Sequence, residues 1–246
     1  MSDMAKAPRA DTAFIQQAML FDELINNSAN NCRWPNDTHD RTVYSVESGQ
    51  TVIRQGGKPD GLFEIISGTL KLSQVTEDGR QIIVGFPSSG ESVGLTGGDE
   101  YRYAAETLTM TRLRPIRGKA FYEQSLMSRP AREKLLRWID TQEKMLLDHI
   151  AVLSLQSPTS KLAAFLLKQM LQQSKGSARE EMIIDLPMTQ RDIATYLAIA
   201  PETCSRTMKR FRDDGIVEPR GRSRERKLLK ISNRERLNEA ANGPFV

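Results

Sequence analysis

The sequence is poor in the side chains that hold metals and form disulfides. Its 246 residues include two cysteines, Cys32 and Cys204, and two histidines, His39 and His149. Two cysteines are too few for a disulfide framework, and a zinc site needs three or four soft ligands. The sequence therefore gives little support to a metalloenzyme.

Long apolar runs and catalytic motifs are also missing. Because no run of about 18 apolar residues occurs, the sequence predicts no membrane partner. The segment Met1 to Asp11 lacks the apolar run and cleavage site of a secretory signal, which favours a cytoplasmic location. Neither a phosphate-binding glycine loop nor a nucleophile elbow is present, and the sequence predicts no enzyme.

Charge is distributed unevenly along the chain. The whole sequence carries a formal net charge of +4, and the segment from Pro201 to Val246 holds twelve Lys and Arg against seven Asp and Glu. This segment therefore accounts for the basic excess. A concentrated positive surface attracts polyanions, so nucleic acid and acidic membranes are the natural classes of partner.

Glycines recur every eleven residues in the first half of the chain, beside short strand-like runs. They are Gly57, Gly68, Gly79 and Gly90. The Asp78-Gly79 pair favours a hairpin turn because both residues tolerate a positive φ. Short strands at this spacing predict a β-sandwich or a jelly-roll barrel over residues 40–128, after an N-terminal segment of residues 1–39.

A helical period with alternating steps of three and four residues follows Pro130. Its seam consists of Leu136, Ile139, Glu143, Leu146, Ile150 and Leu153. This heptad pattern predicts a dimerisation helix over residues 129–156 that pairs with a second copy, and a buried helix of a monomer is the alternative. In a parallel dimer Glu143 faces its own copy and weakens the pairing, unless it is protonated, paired with a cation or turned to solvent.

The segment of residues 157–246 carries the pattern of a winged helix-turn-helix. Thr189 and Asp192 fit a capping box at the start of one helix, and Pro201 suits the first position of a second helix. The second helix has an apolar face and a polar face. The apolar face is formed by Cys204, Met208 and Phe211, and the polar face by Glu202, Ser205, Arg206 and Lys209.

Such a division is what a recognition helix requires, because one face packs while the other meets base edges. We predict that Glu202, Ser205 and Arg206 read bases, since Glu accepts from cytosine and Arg binds guanine bidentately. The alternative for Glu202 and Arg206 is a salt bridge within the helix. Contacts to the DNA backbone are predicted for Thr189, Arg191, Thr203, Lys209, Arg210, Arg220, Arg222, Arg224 and Arg226.

The last four of these arginines lie in a predicted loop, Arg220 to Arg226, between two strand-like runs. This pattern is typical of a wing, and a plain solvated hairpin is the alternative. A wing of this kind holds phosphates and contributes affinity with little sequence information.

Several segments resemble those of one superfamily. Gly49-Gln50-Thr51-Val52, Ser67-Gly68-Thr69-Leu70-Lys71 and Gly90-Glu91-Ser92-Val93-Gly94 resemble barrel turns of the cyclic AMP receptor protein/FNR superfamily. Glu202-Thr203-Cys204-Ser205-Arg206 resembles the FNR-type recognition motif Glu-x-x-Ser-Arg, and the segment 98–106 brings the chain closest to the FixK subgroup.

The resemblance implies an α+β protein with a cyclic-nucleotide-binding-like jelly-roll, a dimerisation helix and a C-terminal winged helix-turn-helix. It also implies a homodimer that binds double-stranded DNA at TTGA-like inverted repeats. The same resemblance implies an activator, or at some promoters a repressor, that contacts RNA polymerase at genes of low-oxygen respiration or nitrogen fixation.

Two departures from the family limit the signals to which this protein is expected to respond. The nucleotide-binding cassette of cyclic AMP receptors is missing, because Gly94 is followed by Leu95 and no Arg-Ser pair follows it in the segment 40–128. The iron–sulfur cluster of FNR needs four cysteines. We therefore expect no cofactor. The alternative is a regulator gated by an unidentified small molecule or by haem in the N-terminal domain, with His39, His149, Cys32 or a methionine as axial ligand.

Cys204 is a candidate redox switch. A position in the first turns of a helix and near Arg206 is expected to lower the pKa of its thiol and favour oxidation. The alternative is an inert core thiol, because Cys204 shares a face with Met208 and Phe211.

Overall fold

A computed structural model describes residues 43–59, 61–116, 123, 126–173, 182–222 and 227–242. These residues all belong to one compact unit, Pro35–Val246. The predicted N-terminal segment, residues 1–39, lies outside the described residues, and so do Cys32, His39, Arg224 and Arg226. None of the described helices is long and apolar enough to cross a membrane.

Two four-stranded antiparallel sheets form the first half of the described chain. Their strands are β1 (Tyr44–Val46), β2 (Thr51–Ile53), β3 (Leu62–Ser67), β4 (Leu70–Val75), β5 (Gln81–Gly85), β6 (Ser92–Val93), β7 (Ala104–Thr107) and β8 (Thr111–Ile116). One sheet has the order β1-β8-β3-β6 and the other β2-β7-β4-β5. The predicted jelly-roll is confirmed.

The two sheets enclose one apolar core, to which both contribute. Ile65 and Leu113 come from the first sheet, and Ile53 and Leu70 from the second. The turn between β3 and β4 depends on Gly68, whose φ is +99°. A Cβ there would lie 2.5 Å from the Thr111 hydroxyl oxygen, so only glycine fits this position.

Two helices follow the barrel. Helix α1 (Arg129–Ser154) ends two residues earlier than the predicted boundary at 156, and helix α2 (Pro158–Gln173) begins directly at the proline. The break is short because Pro158 cannot continue α1 but suits the first turn of a new helix. The Leu155 N–H donates to the Val152 carbonyl and closes the last turn of α1.

The C-terminal part is a helix-turn-helix with a three-stranded sheet. Its elements are β9 (Ile183–Asp185), α3 (Gln190–Tyr196), α4 (Pro201–Asp213), β10 (Val217–Arg222), β11 (Lys227–Ile231) and α5 (Arg234–Asn242), and the strand order is β10-β11-β9. The predicted start of the wing loop at Arg220 is wrong, because β10 continues through Arg222, which is opposite Lys227. A bulge between Pro219 and Gly221 lets the strand resume pairing after the proline.

Candidate nucleic-acid interface

Helix α3 begins with the predicted capping box. The Thr189 hydroxyl accepts a hydrogen bond from the Asp192 N–H at 3.0 Å, and the Asp192 carboxylate accepts one from the Thr189 N–H at 2.9 Å. Two amide groups that have no partner within the helix are thereby satisfied. These two reciprocal hydrogen bonds fix the first residue of α3 and the angle at which the preceding chain enters the helix.

The turn between α3 and α4 is a Schellman motif built on an alanine. The Ile199 N–H donates to the Ala194 carbonyl, and the Ala198 N–H donates to the Thr195 carbonyl. Ala198 has a φ of +50°, the left-handed region that glycine usually fills at this position. The strain at Ala198 is the cost of a turn tight enough to bring α4 against α3.

Replacing Ala198 with glycine is expected to raise the free energy of unfolding by about 1 kcal/mol, because glycine adopts a positive φ without steric conflict. Denaturant unfolding of both proteins measures the difference. Ala164→Gly, inside helix α2, is the matched control and is expected to lower stability by about 1 kcal/mol. Equal losses at both positions would contradict the assignment of strain to Ala198.

Helix α4 separates its two faces as the sequence predicts. Cys204, Met208 and Phe211 are buried, whereas Glu202, Ser205, Arg206 and Lys209 are exposed. Thr207 is also buried, which the sequence interpretation missed; its position three residues after Cys204 and four before Phe211 was the available signal. The buried row holds α4 against the domain, and the polar side chains of its first two turns are left exposed to solvent.

The predicted base-reading residues lie together on this exposed face. Among the ion pairs of the described residues, none joins Glu202 to Arg206, so the alternative of a helix salt bridge has no support. Ser205 is one residue before Arg206 and is likewise exposed. Three hydrogen-bonding side chains are thus presented from the first two turns of one helix.

The residues predicted to contact the DNA backbone differ in their exposure and in whether they already have a partner within the protein. Arg191 and Lys209 are exposed, but the Thr189 hydroxyl already serves the capping box and Thr203 is half-buried. Arg210 forms an ion pair with Asp214, at 3.7 Å between Nε and Oδ2. In the wing, Arg220 Nε lies 3.9 Å from the Glu218 carboxylate. Solvated pairs of this kind are weak and can yield to a phosphate.

Cys204 is fully buried, and this reverses the expected direction of its titration. Burial raises the pKa of the Cys204 thiol to about 11, whereas the sequence interpretation expected the helix terminus to lower it. Desolvation of the thiolate outweighs the helix dipole because the side chain points into the core. The structure favours the alternative of an inert core thiol.

Cys204→Ala and the unchanged protein are expected to respond alike to hydrogen peroxide, because a protonated and buried thiol is a poor target for oxidation. The measurement is operator binding before and after peroxide treatment, with Cys32→Ser as the control for the other thiol. A loss of binding that disappears only in Cys204→Ala would restore the redox-switch hypothesis.

His149, considered above as a haem ligand, is occupied within the protein. Its Nε2 lies 2.9 Å from the Tyr196 carbonyl oxygen, and its ring stacks on the Tyr196 ring with the centroids 3.9 Å apart. Burial lowers the pKa of His149, and Lys168 lowers it further, against the effect of the Tyr196 hydrogen bond. No group of three or more potential metal-binding side chains occurs within the described residues.

Helix α1 carries its predicted seam on the surface of the single chain. Leu136, Ile139, Leu146 and Ile150 are between 47% and 60% exposed, Leu153 is half-buried, and Glu143 is exposed. Leu147, which the prediction left out, is also 59% exposed. A stripe of large apolar side chains interrupted by one carboxylate indicates a surface that another chain covers.

Replacing Glu143 with leucine is expected to tighten self-association at least about tenfold, because it fills the gap in the stripe and removes a pair of like charges. Sedimentation equilibrium of both proteins gives the two dissociation constants. Thr141→Leu, on the same helix but away from the stripe, is the control and should leave them equal. Weaker association of Glu143→Leu would mean that Glu143 is paired favourably in the dimer.

Comparison with known proteins places this geometry in a family. A Crp-like helix-turn-helix domain matches residues 160–240, and a cyclic nucleotide-binding domain matches residues 43–126. The transcriptional activator protein FnrA of Stutzerimonas stutzeri is 32% identical over 185 residues, which cover 72% of this chain and 73% of FnrA. The chain belongs to the Crp/Fnr family. This Crp/Fnr protein is a DNA-binding transcription regulator.

Other relatives agree with the assignment. The nitrogen fixation regulation protein FixK of Rhizobium meliloti is 27% identical to this Crp/Fnr regulator, over 82% of the chain and 88% of FixK. The structure of FixK2 from Bradyrhizobium japonicum superposes with a TM-score of 0.71 and 24% identity, over 81% of this chain and 96% of FixK2. The predicted fold and the FixK-like resemblance are confirmed.

Proposed function

We propose that this Crp/Fnr regulator is a homodimeric activator that binds TTGA-like inverted repeats through two copies of Glu202, Ser205 and Arg206. The observation that carries the proposal is the exposed polar face of α4, backed by a buried row that holds the helix in place. Base edges in the major groove offer acceptors and donors that these three side chains complement. The wing arginines, Arg220, Arg222, Arg224 and Arg226, hold phosphates and add affinity.

The inverted repeat follows from the proposed dimer. A parallel pair of α1 helices covers the stripe of Leu136, Ile139, Leu146, Ile150 and Leu153 and relates the two chains by a twofold axis. Two recognition helices related in this way meet two half-sites of opposite direction, about one helical turn apart.

We propose that the barrel binds no cyclic nucleotide. The nucleotide-binding cassette of cyclic AMP receptors is missing at Gly94-Leu95, and the Tyr103 hydroxyl accepts a hydrogen bond from the Gly94 N–H at 2.7 Å. The Tyr103 side chain therefore occupies the Gly94 N–H, a backbone donor in the segment where cyclic AMP receptors have their nucleotide cassette. This internal contact supports a regulator that binds DNA without a cyclic nucleotide. The presence of two cysteines, where a cluster of the FNR type needs four, supports a regulator without an iron–sulfur cluster.

The names of the relatives support the physiological role that we assign. FnrA is a transcriptional activator, FixK regulates nitrogen fixation, and a 30% identical relative from Escherichia coli is a fumarate and nitrate reduction regulatory protein. We assign this chain to genes of low-oxygen metabolism. Activation requires a contact with RNA polymerase, which we place on the barrel surface.

The test is a fluorescence anisotropy titration of the reduced protein without added ligand. The duplexes are a TTGA-type inverted repeat and a scrambled sequence of equal length, at near-physiological salt. We expect the inverted repeat to bind at least about a thousandfold more tightly. Cyclic AMP, added as a control, should leave both affinities unchanged.

Equal and weak binding to both duplexes would contradict ligand-independent recognition and would favour a regulator gated by an effector in the barrel. Tighter binding only after cyclic AMP is added would contradict the role given to Tyr103. Transcription in vitro from a promoter carrying the repeat then separates an activator from a repressor.

A further inference from the structure

Helix α3, the first helix of the helix-turn-helix, is held at each end by a residue from outside the DNA-binding part. At its start, Asp192 Oδ1 lies 3.5 Å from Nζ of Lys71, a residue of barrel strand β4. At its end, the Tyr196 carbonyl receives the hydrogen bond from His149 of helix α1. The barrel and the predicted dimerisation helix thus each contact one end of the same short helix.

The contact at the start of α3 is a partly buried cluster of three charges. Lys71 Nζ lies 3.2 Å from the carboxylate of Glu106, its direct cross-strand neighbour on β7, as well as near Asp192. The side chains of Lys71 and Asp192 are 14% and 16% exposed. Without the lysine, the mostly buried carboxylate of Asp192 would lie near the 40% exposed carboxylate of Glu106 with no cation between them, and solvent would screen the repulsion only in part. The Lys71 ammonium group therefore links the barrel to α3 by an ion pair with Asp192, the residue that also forms the capping box of this helix.

The contact at the end of α3 combines a hydrogen bond with aromatic packing. A carbonyl oxygen only accepts, so His149 Nε2 carries the proton that it donates to Tyr196. This carbonyl is in the last turn of α3, where the helix itself leaves acceptors unsatisfied. The Tyr196 ring also packs against Phe86, directly after β5, and Phe165 of α2, with centroids 5.3 and 5.8 Å away.

We propose that Lys71 and His149 are positioning residues for operator recognition, which fix the spacing between the two recognition helices of the dimer. Helix α4 packs on α3, so any change in the orientation of α3 moves Glu202, Ser205 and Arg206 with it. Because α1 forms the dimer axis, a contact from α1 to α3 sets the distance of each recognition helix from that axis. The inference rests on the proposed dimer and its inverted-repeat operator.

The reason for two contacts is geometric. One contact supports a single end of α3, whereas contacts at both ends, added to the buried packing of the helix, also constrain its direction. Half-sites on one face of the duplex are separated by about one helical turn or a multiple of it, so a pivot of α3 places one recognition helix out of register. Rigid elements with supported side chains are what precise recognition requires.

The experiment compares Lys71→Met and His149→Phe with the unchanged protein on three kinds of duplex. These are the full inverted repeat, repeats with one base pair more or fewer between the half-sites, and a single half-site. We expect affinity for the full repeat to fall by about an order of magnitude, which is a typical coupling between sites. Discrimination between spacings should shrink, and half-site affinity should stay within about twofold.

Two control variants isolate the contacts. Lys71→Arg keeps the charge between Glu106 and Asp192 and should retain spacing discrimination. Arg114→Met removes one positive charge from a partly buried pair with Glu64 inside the barrel, and should leave binding to all duplexes unchanged. Hydrogen exchange of the α3 amides provides a readout without DNA, and exchange should rise in Lys71→Met but not in Arg114→Met.

Unchanged spacing discrimination in both variants would overturn the inference. So would tighter binding, which would make the contacts inhibitory, and equal losses on half-site and full repeat, which would make them general supports of folding. Failure of the proposed function looks different, because the unchanged protein would then bind the inverted repeat no better than a scrambled duplex.

Discussion

Replacing both Leu146 and Ile150 with glutamate is expected to convert the proposed dimer into single chains. The two side chains are 57% and 58% exposed in the single chain, and covering that surface contributes about 1 kcal/mol for each of four side chains. Their loss raises the dissociation constant by about three orders of magnitude, and the added charges raise it further. Sedimentation velocity over a concentration series measures the change.

Thr141→Glu is the matched control, because Thr141 is exposed on the same helix but lies outside the seam. This variant should remain dimeric. Single chains should lose affinity for the inverted repeat and retain that for one half-site. A double variant that still sediments as a dimer would show that α1 is not the principal interface, and the alternative of a monomeric amphipathic helix would regain support.

Replacing Arg206 with alanine is expected to reduce affinity for the specific repeat more than tenfold and to leave affinity for scrambled DNA nearly unchanged. A bidentate arginine–guanine contact contributes about 1–3 kcal/mol of discrimination, and each dimer makes it twice. The measurement is an anisotropy titration on the specific duplex and on duplexes with each base of the half-site changed. The variant should tolerate changes at one base pair that the unchanged protein rejects.

Arg220→Ala provides the comparison, because we assign this wing residue to phosphate binding. It should weaken binding to all sequences alike and reduce the dependence of affinity on salt. Equal losses on specific and scrambled duplexes in both variants would contradict the division between base reading by α4 and phosphate binding by the wing.

The features that the sequence predicts well are those coded by neighbouring residues. The capping box of Thr189 and Asp192 spans three residues, and the buried row of Cys204, Met208 and Phe211 spans two helical turns. Local spacing determines both, so the start of α3 and the inner face of α4 follow from the sequence. The same reasoning identified the α1 seam, since amphipathic patterns repeat along one element.

The features that the sequence misses depend on pairing between distant segments. His149 and Tyr196 are 47 residues apart, and nothing near His149 indicates that a carbonyl group will lie beside its ring. Lys71 and Asp192 come from different parts of the fold, and each has ordinary local surroundings. The strand boundary at Arg222 likewise depends on its cross-strand partner Lys227, because an arginine-rich segment has little strand propensity of its own.

The carboxylate that interrupts the α1 stripe has a consequence for gene control. The proposed dimer, weakened by Glu143, is expected to dissociate at low protein concentration, and the amount of dimer then rises with the square of the number of chains. Promoter occupancy therefore changes more than proportionally when the rate of protein synthesis changes. The ligand-independent regulator that we propose would in this way be controlled through its own abundance.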